Sequence, residues 1–310
     1  MRKELISHLL EHAIRDEKIV LLTGDLGYKV LEDFRKQLPD RFFNLGIAEQ
    51  SLMSIAAGMA KKGLRPIVYS IGNFPTMRCL EQIRNDVVFM QLPVTIVALG
   101  AGFSYGTSGY SHYLIEDFSA LSVFDLDIYS PDGPNSAKLA LDKILKISRP
   151  AYLRIGRGHE TDSLFAIQPL RTDDFNIPTS TNVVFLSFGP IAGEVDIAVE
   201  ALKVAEVNAI NISVVDLPSL KVIIEKVTVH KLPIITVEEH VLRGGFGSLV
   251  IELSHRENQR IMRIGIEAFK RDMIGTQEFM RKLYGLDAKS IAEKAISFLS
   301  NGNHSSARSD

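Results

Sequence analysis

Short apolar runs alternate along the chain with stretches in which apolar residues recur every three or four positions. In the first half, Ile19–Leu26, Arg65–Ile71, Val94–Leu99, Leu126–Ser130 and Ala151–Ile155 read as buried strands. The periodic stretches predict helices at residues 2–14, with Leu5, Leu9 and Leu10 inward, near Val30–Gln37, from Ala48 to Ala60, and over Pro75–Phe89, Tyr113–Ser122 and Asn135–Ile147. The rhythm fails over residues 158–181, which are polar and turn-rich and read as a linker. It resumes with strands at Val183–Ser187, Ile212–Asp216, Ile234–Glu238 and Arg263–Gly265. Helices are predicted at Ala192–Val204, Leu220–Val227, Gly245–Ser254 and Asp287–Leu299, and residues 300–310 read as a disordered tail. Apolar strands alternating with helices imply parallel sheets covered on both faces. The expectation is therefore α/β: two doubly wound domains, residues 1–165 and 180–299, each a mainly parallel sheet flanked by helices.

Within this pattern Asn44–Ala60 stands apart. It carries one charged residue, Glu49, in a run of apolar and small residues. Leu52, Ile55, Ala56 and Met59 fall at helical spacing, and Gly46, Ala48, Ala56, Ala57, Gly58 and Ala60 allow close packing on nearly every side, so the helix is expected to be buried all round. A carboxylate near its start then needs a partner. Either Glu49 pairs with a structural arginine or backbone amide, or it is kept for chemistry.

The composition narrows the function classes. The chain has 310 residues, 46% hydrophobic and 23% charged, which fits two globular domains. Its net charge of −2 offers no basic surface for nucleic acid, and no apolar run is long enough to span a membrane. The amphipathic opening MRKELISHLLEHAIRDEK does not read as a secretory signal, so a cytoplasmic location is expected. The single Cys79 leaves neither an internal disulfide nor a cysteine-based zinc site.

PDRFFNLGIAEQ ahead of the Ala/Gly-rich helix, with RPIVYSIGNF and LEQIRND after it, resembles the pyrimidine-binding module of the transketolase family, whose cofactor is thiamine diphosphate. The resemblance runs from about Ile19 to Arg157 and resumes in the C-terminal third. It implies that Glu49 is the carboxylate that bonds the cofactor's aminopyrimidine ring. Such a group activates the cofactor by sharing a proton with the ring nitrogen, and an apolar surround suits it. Phe74 resembles the phenylalanine on which that ring stacks. His112, closing the loop GTSGYSH, corresponds to a histidine facing the reacting carbon, where it can shuttle protons to substrate oxygens. Arg157, in RIGRG, matches an arginine that helps hold a sugar phosphate.

Other positions depart from the pattern. Ser108 stands where transketolases have an aspartate that contacts a donor hydroxyl, Tyr110-Ser111 replaces Pro-Thr, and Gly100 replaces a phosphate-contacting histidine found in many members. The resemblance thus assigns the cofactor and leaves the sugar or sugar-phosphate substrate open. Glu81, Arg84 and Asn85 are expected at a subunit interface, His159 and Glu160 on a solvated loop, and the Gly244–Gly247 turn in close strand–helix packing.

Part of the family pattern is missing. The Gly-Asp-Gly stretch that holds Mg2+ and the diphosphate does not occur in this chain. The metal needs hard oxygen ligands, which are expected from a separate subunit carrying the N-terminal half of the enzyme, in an α2β2 assembly with two sites at the interfaces. The beta subunit of a 2-oxo acid dehydrogenase and half of a deoxyxylulose-phosphate synthase share the outline; LGIAEQ and GYSH favour transketolase over the former, and the latter is a single long chain.

Overall fold

The computed structural model describes residues 1–157, 160, 162–163, 175–254 and 259–303. The first domain comprises α1 (Arg2–Arg15), β1 (Ile19–Thr23), α2 (Glu32–Gln37), β2 (Phe42–Asn44), α3 (Glu49–Lys61), β3 (Arg65–Ile71), α4 (Leu80–Gln82), β4 (Thr95–Leu99), α5 (Asp117–Leu121), β5 (Asp127–Tyr129), α6 (Pro134–Ile144) and β6 (Ala151–Ile155). The second comprises β7 (Val183–Phe188), α7 (Ala192–Leu202), β8 (Ala209–Val214), α8 (Leu220–Val229), β9 (Ile234–Val241), α9 (Phe246–Leu253), β10 (Ile261–Ile266), α10 (Gln277–Tyr284) and α11 (Ala288–Asn303). Most of the expected linker, including His159, lies outside the described residues, as do residues 304–310 of the expected tail. Residues 300–303 of that tail belong to α11 instead.

Among the described residues the strands form two sheets, ordered β2-β1-β3-β4-β6-β5 and β10-β9-β7-β8, in which every neighbouring pair is parallel. The two doubly wound domains are therefore present. All five residues of β1 are buried, because helices cover both sheet faces. Val20 and Leu22 face α3, while Ile19 and Leu21 face the α1 and α6 side. The core on the α3 side continues into the second sheet through Leu186, Phe188, Ile212 and Val214, so one apolar cluster joins the domains. The strand order reverses at β1, with β2 on one side and β3 on the other. In open α/β sheets the cleft at such a reversal is where ligands sit. Here the chain beyond β1, β2 and β3 supplies Gly24, Glu49 and Phe74 to that cleft.

Some expectations change. The predicted Tyr113–Ser122 helix shrinks to α5, and its start is extended chain after a 3-10 turn. The predicted Pro75–Phe89 helix is a 3-10 turn, then α4, then a π turn over Ile83–Val88. Helix α3 is not buried all round. Gln50, Ser51, Ser54, Ile55 and Gly58 are exposed, and a Cβ built on Gly58 meets nothing within 4 Å. The close-packing face is real, and in a single chain it is uncovered. No helix among the described residues is long and apolar enough to cross a membrane.

The Gly244–Gly247 turn packs as expected, and the reason is visible. A Cβ on Gly245 would lie 2.3 Å from Glu238 Oε2, and one on Gly247 would lie 2.4 Å from Thr236 Oγ1. Phe246 and Gly247 donate their N–H groups to the Glu238 carboxyl at 2.6 and 2.9 Å. The first N–H groups of α9 are thus satisfied by a carboxyl group of the chain itself. His240 lies beside this group, with Glu238 Oε2 and Asp117 Oδ1 each 3.8 Å from its ring and Arg154 bonded to Asp117 at 3.0 Å.

Burial pushes Glu238 up to about 8, against the two backbone N–H bonds that oppose it. Burial pulls His240 down to about 4, against Asp117. The raised Glu238 contributes stability that is complete below its ordinary 4.5 and is lost as pH rises through 8. The lowered His240 contributes stability that is complete above its ordinary 6.5 and is lost as pH falls through 4. The two oppose one another below 6.5, so Glu238 acts alone above it. Between pH 6.5 and 8 the protein is expected to lose roughly 2 kcal/mol of unfolding free energy. Chemical denaturation across this window should show that slope in the wild type and a flat line in Glu238→Gln. An equal slope in both chains would remove the assignment.

Candidate active site

Glu49 is the first residue of α3 and only 3% exposed. Its Oε2 accepts from Arg78 Nη1 at 2.7 Å. A buried carboxylate needs such a partner, and Arg78 is the structural arginine that the sequence left unidentified. Arg78 also lies over the Phe74 ring, 4.6 Å from its centroid, a cation–π contact. Gln50 holds the Arg78 carbonyl at 3.0 Å. Gly24 at the end of β1 faces the carboxylate from the other side: a Cβ there would be 3.7 Å from Glu49 Oε1 and 3.0 Å from the Gly46 carbonyl. Cys79, next in the chain, is buried, and this burial, with the nearby Glu49 charge, pushes its thiol up to about 12. It packs and does not act as a nucleophile.

The rings of Phe74 and His112 meet edge to face with centroids 5.5 Å apart. Asn73 locks their two loops together by donating to the Ser111 and Tyr113 carbonyls at 3.2 and 2.6 Å. The Ser111 hydroxyl lies 3.0 Å from His112 Nδ1. If the hydroxyl donates there, Nε2 keeps the proton, so Ser111 selects the tautomer. Asn73 and Arg78 were not singled out from the sequence, because each acts on residues far away in the chain that no local pattern marks; Ser111 was named only as a departure from the family pattern, without its contact to the adjacent His112.

Tyr105 continues the chain of contacts. Its ring centroid is 6.1 Å from that of His112, and the Arg157 guanidinium carbon lies 4.8 Å above it. This explains Gly100. Its φ of +95° favours glycine, and a Cβ there would come within 2.3 Å of the Tyr105 ring. Tyr105 fills the space that a longer side chain at position 100 would take. Arg157 further lines a cavity of about 590 Å³ with Arg2, Lys3, Ser104, Glu160 and Gln277. Met1 and Glu4 line it too, so Arg157, Arg2, Lys3 and the Met1 ammonium share the cavity with the carboxylates of Glu4 and Glu160. Ser108 is exposed on the same loop as His112, and its N–H donates to the Tyr105 carbonyl at 2.8 Å. Glu49, Phe74, His112 and Arg157 are therefore joined through Arg78 and Tyr105, with Ser108 at the rim.

The second domain holds this loop in place. Glu239, at the reversal of strand order in the second sheet, accepts from Phe103 N at 2.7 Å, Gln277 Nε2 at 3.0 Å and Arg281 Nη2 at 2.7 Å. A Cβ on Gly102 would lie 2.4 Å from its carboxyl carbon. The glycine lets the loop close onto a fixed carboxylate.

Residues 1–160 match the family model for the transketolase pyrimidine-binding domain, and residues 177–291 match that for the transketolase C-terminal domain. A putative transketolase C-terminal section from Methanocaldococcus jannaschii is 31% identical over 306 residues, covering 96% of this chain and 95% of that protein. One subunit of the apulose-4-phosphate transketolase of Actinobacillus succinogenes is 32% identical, with 85% and 86% covered. A solved split-gene transketolase, an inactive β4 tetramer, superposes with a TM-score of 0.79 at 26% identity, covering 96% of this chain and 97% of that one. The sheets, the cleft and these matches define an α/β protein with a pyrimidine-binding domain and a C-terminal domain of the transketolase type. The chain belongs to the transketolase family. It spans just under half of the single-chain transketolase of Leishmania mexicana, which shares its fold at a TM-score of 0.80 and 17% identity.

Proposed function

We propose that this chain is the pyrimidine-side subunit of a split, thiamine-diphosphate-dependent transketolase that moves a two-carbon ketol unit from a ketose to an aldose. When bound, thiamine diphosphate supplies the carbon that carries this unit. The observation behind the reading is that Arg78 joins Glu49 to Phe74. A guanidinium is a planar N–C–N group that donates N–H to the carboxylate while lying over the aromatic ring. An aminopyrimidine asks for the same two contacts, so Glu49 and Phe74 fit that group, with Arg78 standing in for it. Arg78 is 44% exposed and can swing to solvent when the ring takes its place. Glu49 then shares a proton with the ring nitrogen. His112, held by Ser111 and Phe74, gives and takes protons at substrate oxygens.

Mg2+ and the diphosphate are assigned to a separate subunit carrying the N-terminal half, in an α2β2 complex located in the cytoplasm. Relatives named as one subunit of a transketolase support a partner. The uncovered face of α3 supplies a docking surface. Arg157, over the Tyr105 ring, is the cation assigned to an anionic end on the sugar, in a cavity that also holds Glu4 and Glu160, and Tyr105 filling the space beside Gly100 alters the contacts there. Synthases of deoxyxylulose phosphate align at 29% identity over 45–48% of their length, so formation of deoxyxylulose phosphate belongs among the activities tested.

The test is to co-express the chain with its partner half and assay donors in the purified complex. Ketol transfer that requires both chains, with a donor preference differing from that for xylulose 5-phosphate, is expected. Formation of deoxyxylulose phosphate as the main activity would move the chain to the synthase branch, and xylulose 5-phosphate as best donor by a wide margin would sink the altered-specificity part alone.

A further inference from the structure

His8 and His12 lie one turn apart on α1 and reach across to Asp142 on α6. His8 Nε2 and His12 Nε2 are each 2.7 Å from the same oxygen, Asp142 Oδ1, and 3.3 Å from each other. These are the one group of three or more histidine, cysteine or acidic side chains among the described residues whose ligand atoms converge within 4.8 Å. The side chains are 20%, 30% and 28% exposed, so solvent reaches them. As a plain hydrogen-bonded clip the arrangement is awkward. Both nitrogens must carry protons and aim them at one oxygen, which also brings two N–H groups head to head.

A metal ion resolves that geometry. Two imidazole nitrogens bound to a tetrahedral zinc at about 2.05 Å are about 3.3 Å apart, which is the separation found here. The carboxylate oxygen needs to draw back by only about 0.6 Å to reach a tetrahedral spacing, and a partly exposed aspartate on a helix surface can do so. The rings meet edge to face at 88°, so each can direct its nitrogen to the common point without clashing. An outer carboxylate is also present: Glu11 Oε2 lies 3.7 Å from His8 Nδ1, the ring nitrogen facing away from Asp142. Such a group orients a metal-bound histidine and raises its basicity. The three side chains are partly exposed, so water can reach a fourth coordination position.

We propose that His8, His12 and Asp142 form a three-ligand site for a divalent transition-metal ion of the zinc class, which clips α1 to α6. Two imidazoles and one carboxylate select zinc, cobalt, nickel or copper over magnesium and calcium, which take oxygen ligands. The site is separate from the cleft that holds Glu49, because α1 and α6 cover the opposite face of the first sheet from α3. It is therefore a different site from the Mg2+ assigned to the partner subunit, and it stands whether or not that reading does.

The experiment uses the full chain, free of affinity tag and stripped of metal by a chelator. Titration calorimetry with Zn2+ should give one equivalent per chain with micromolar or tighter affinity, unaffected by excess Mg2+. Co2+ should give the visible absorption of a tetrahedral centre. The unfolding temperature of the stripped protein should rise on adding Zn2+. His12→Gln and Asp142→Asn should each weaken binding roughly tenfold or more, while His230→Gln, at an exposed histidine elsewhere, should bind as the wild type does. The wild-type titration needs no variant to fold, so it tests the site by itself. Absence of saturable one-to-one binding, equal competition by Mg2+, or unchanged affinity in both ligand variants would overturn the proposal.

Discussion

Glu49→Gln is expected to lower ketol transfer by the assembled enzyme about a thousandfold, within the range of a lost acid–base group, while leaving the fold intact. The side chain it replaces is 3% exposed and sits where α3 begins, between Gly24 and Arg78. Glutamine has the same shape, so the approach of Gly24 is not disturbed. Its amide oxygen still accepts from Arg78. What it lacks is the capacity to share a proton with a ring nitrogen. The stability cost is expected to stay within about 1 kcal/mol, because the lost charge pair has a solvent-accessible arginine as one partner. The direct readout is proton–deuterium exchange at the cofactor's reacting carbon in the reconstituted complex, followed by NMR. Exchange in the variant at the wild-type rate would mean that Glu49 is only the structural partner of Arg78, the other reading its sequence setting allowed.

What could be read from the sequence, and what could not, follows physical lines. Strands β1, β4 and β7 are buried on both faces and appear as largely apolar runs, so their positions were plain; β6 carries the buried Arg154, and β9 runs on past its apolar start through the buried Glu238, Glu239 and His240. Strand β2 escaped because it has three residues, Phe42–Asn44, at the sheet edge, where no alternation can develop. Helix α10 also went unread, although its signals are in the sequence. Thr276 caps it by accepting from Phe279 N at 3.2 Å, and Gly285 ends it in the left-handed region. The candidate residues Glu49, Phe74, His112 and Arg157 were picked out through motifs, and the structure links them through Arg78 and Tyr105. The groups that connect them were not picked out. Arg78 reaches Glu49 from 29 positions away, and Glu239 reaches Phe103 from 136. Spacing along the chain carries no trace of such pairs. Helix α3 was read as surrounded because small residues line nearly every side, and its composition cannot say that one of those sides waits for another molecule.

That uncovered side bears on the second large effect: the chain by itself is expected neither to turn over nor to hold thiamine diphosphate tightly. Its assigned contacts, Glu49 and Phe74, serve only the pyrimidine end, and Arg78 already occupies both. The diphosphate carries most of the cofactor's charge, and Mg2+ needs several hard oxygen ligands to neutralise it. Among the described residues the converging ligand group is instead the histidine-rich one on the opposite face of the sheet. Around the cleft, Ile47 is 79% exposed and Phe89 82%, with Ile55, Met77 and Met90 also open to solvent along α3 and the helix that follows β3. An apolar surface of this kind normally finds a partner. Calorimetric titration with thiamine diphosphate and Mg2+ should therefore give affinity at least about a hundredfold weaker for the single chain than for the complex, a difference of about 2.7 kcal/mol. Arg78→Ala separates the two causes. If Arg78 alone were the obstacle, its removal would restore tight binding to the single chain. If the diphosphate site lies on another subunit, the variant stays weak alone and binds only when the partner is added. Micromolar binding with full turnover by the purified single chain would end the split-enzyme reading.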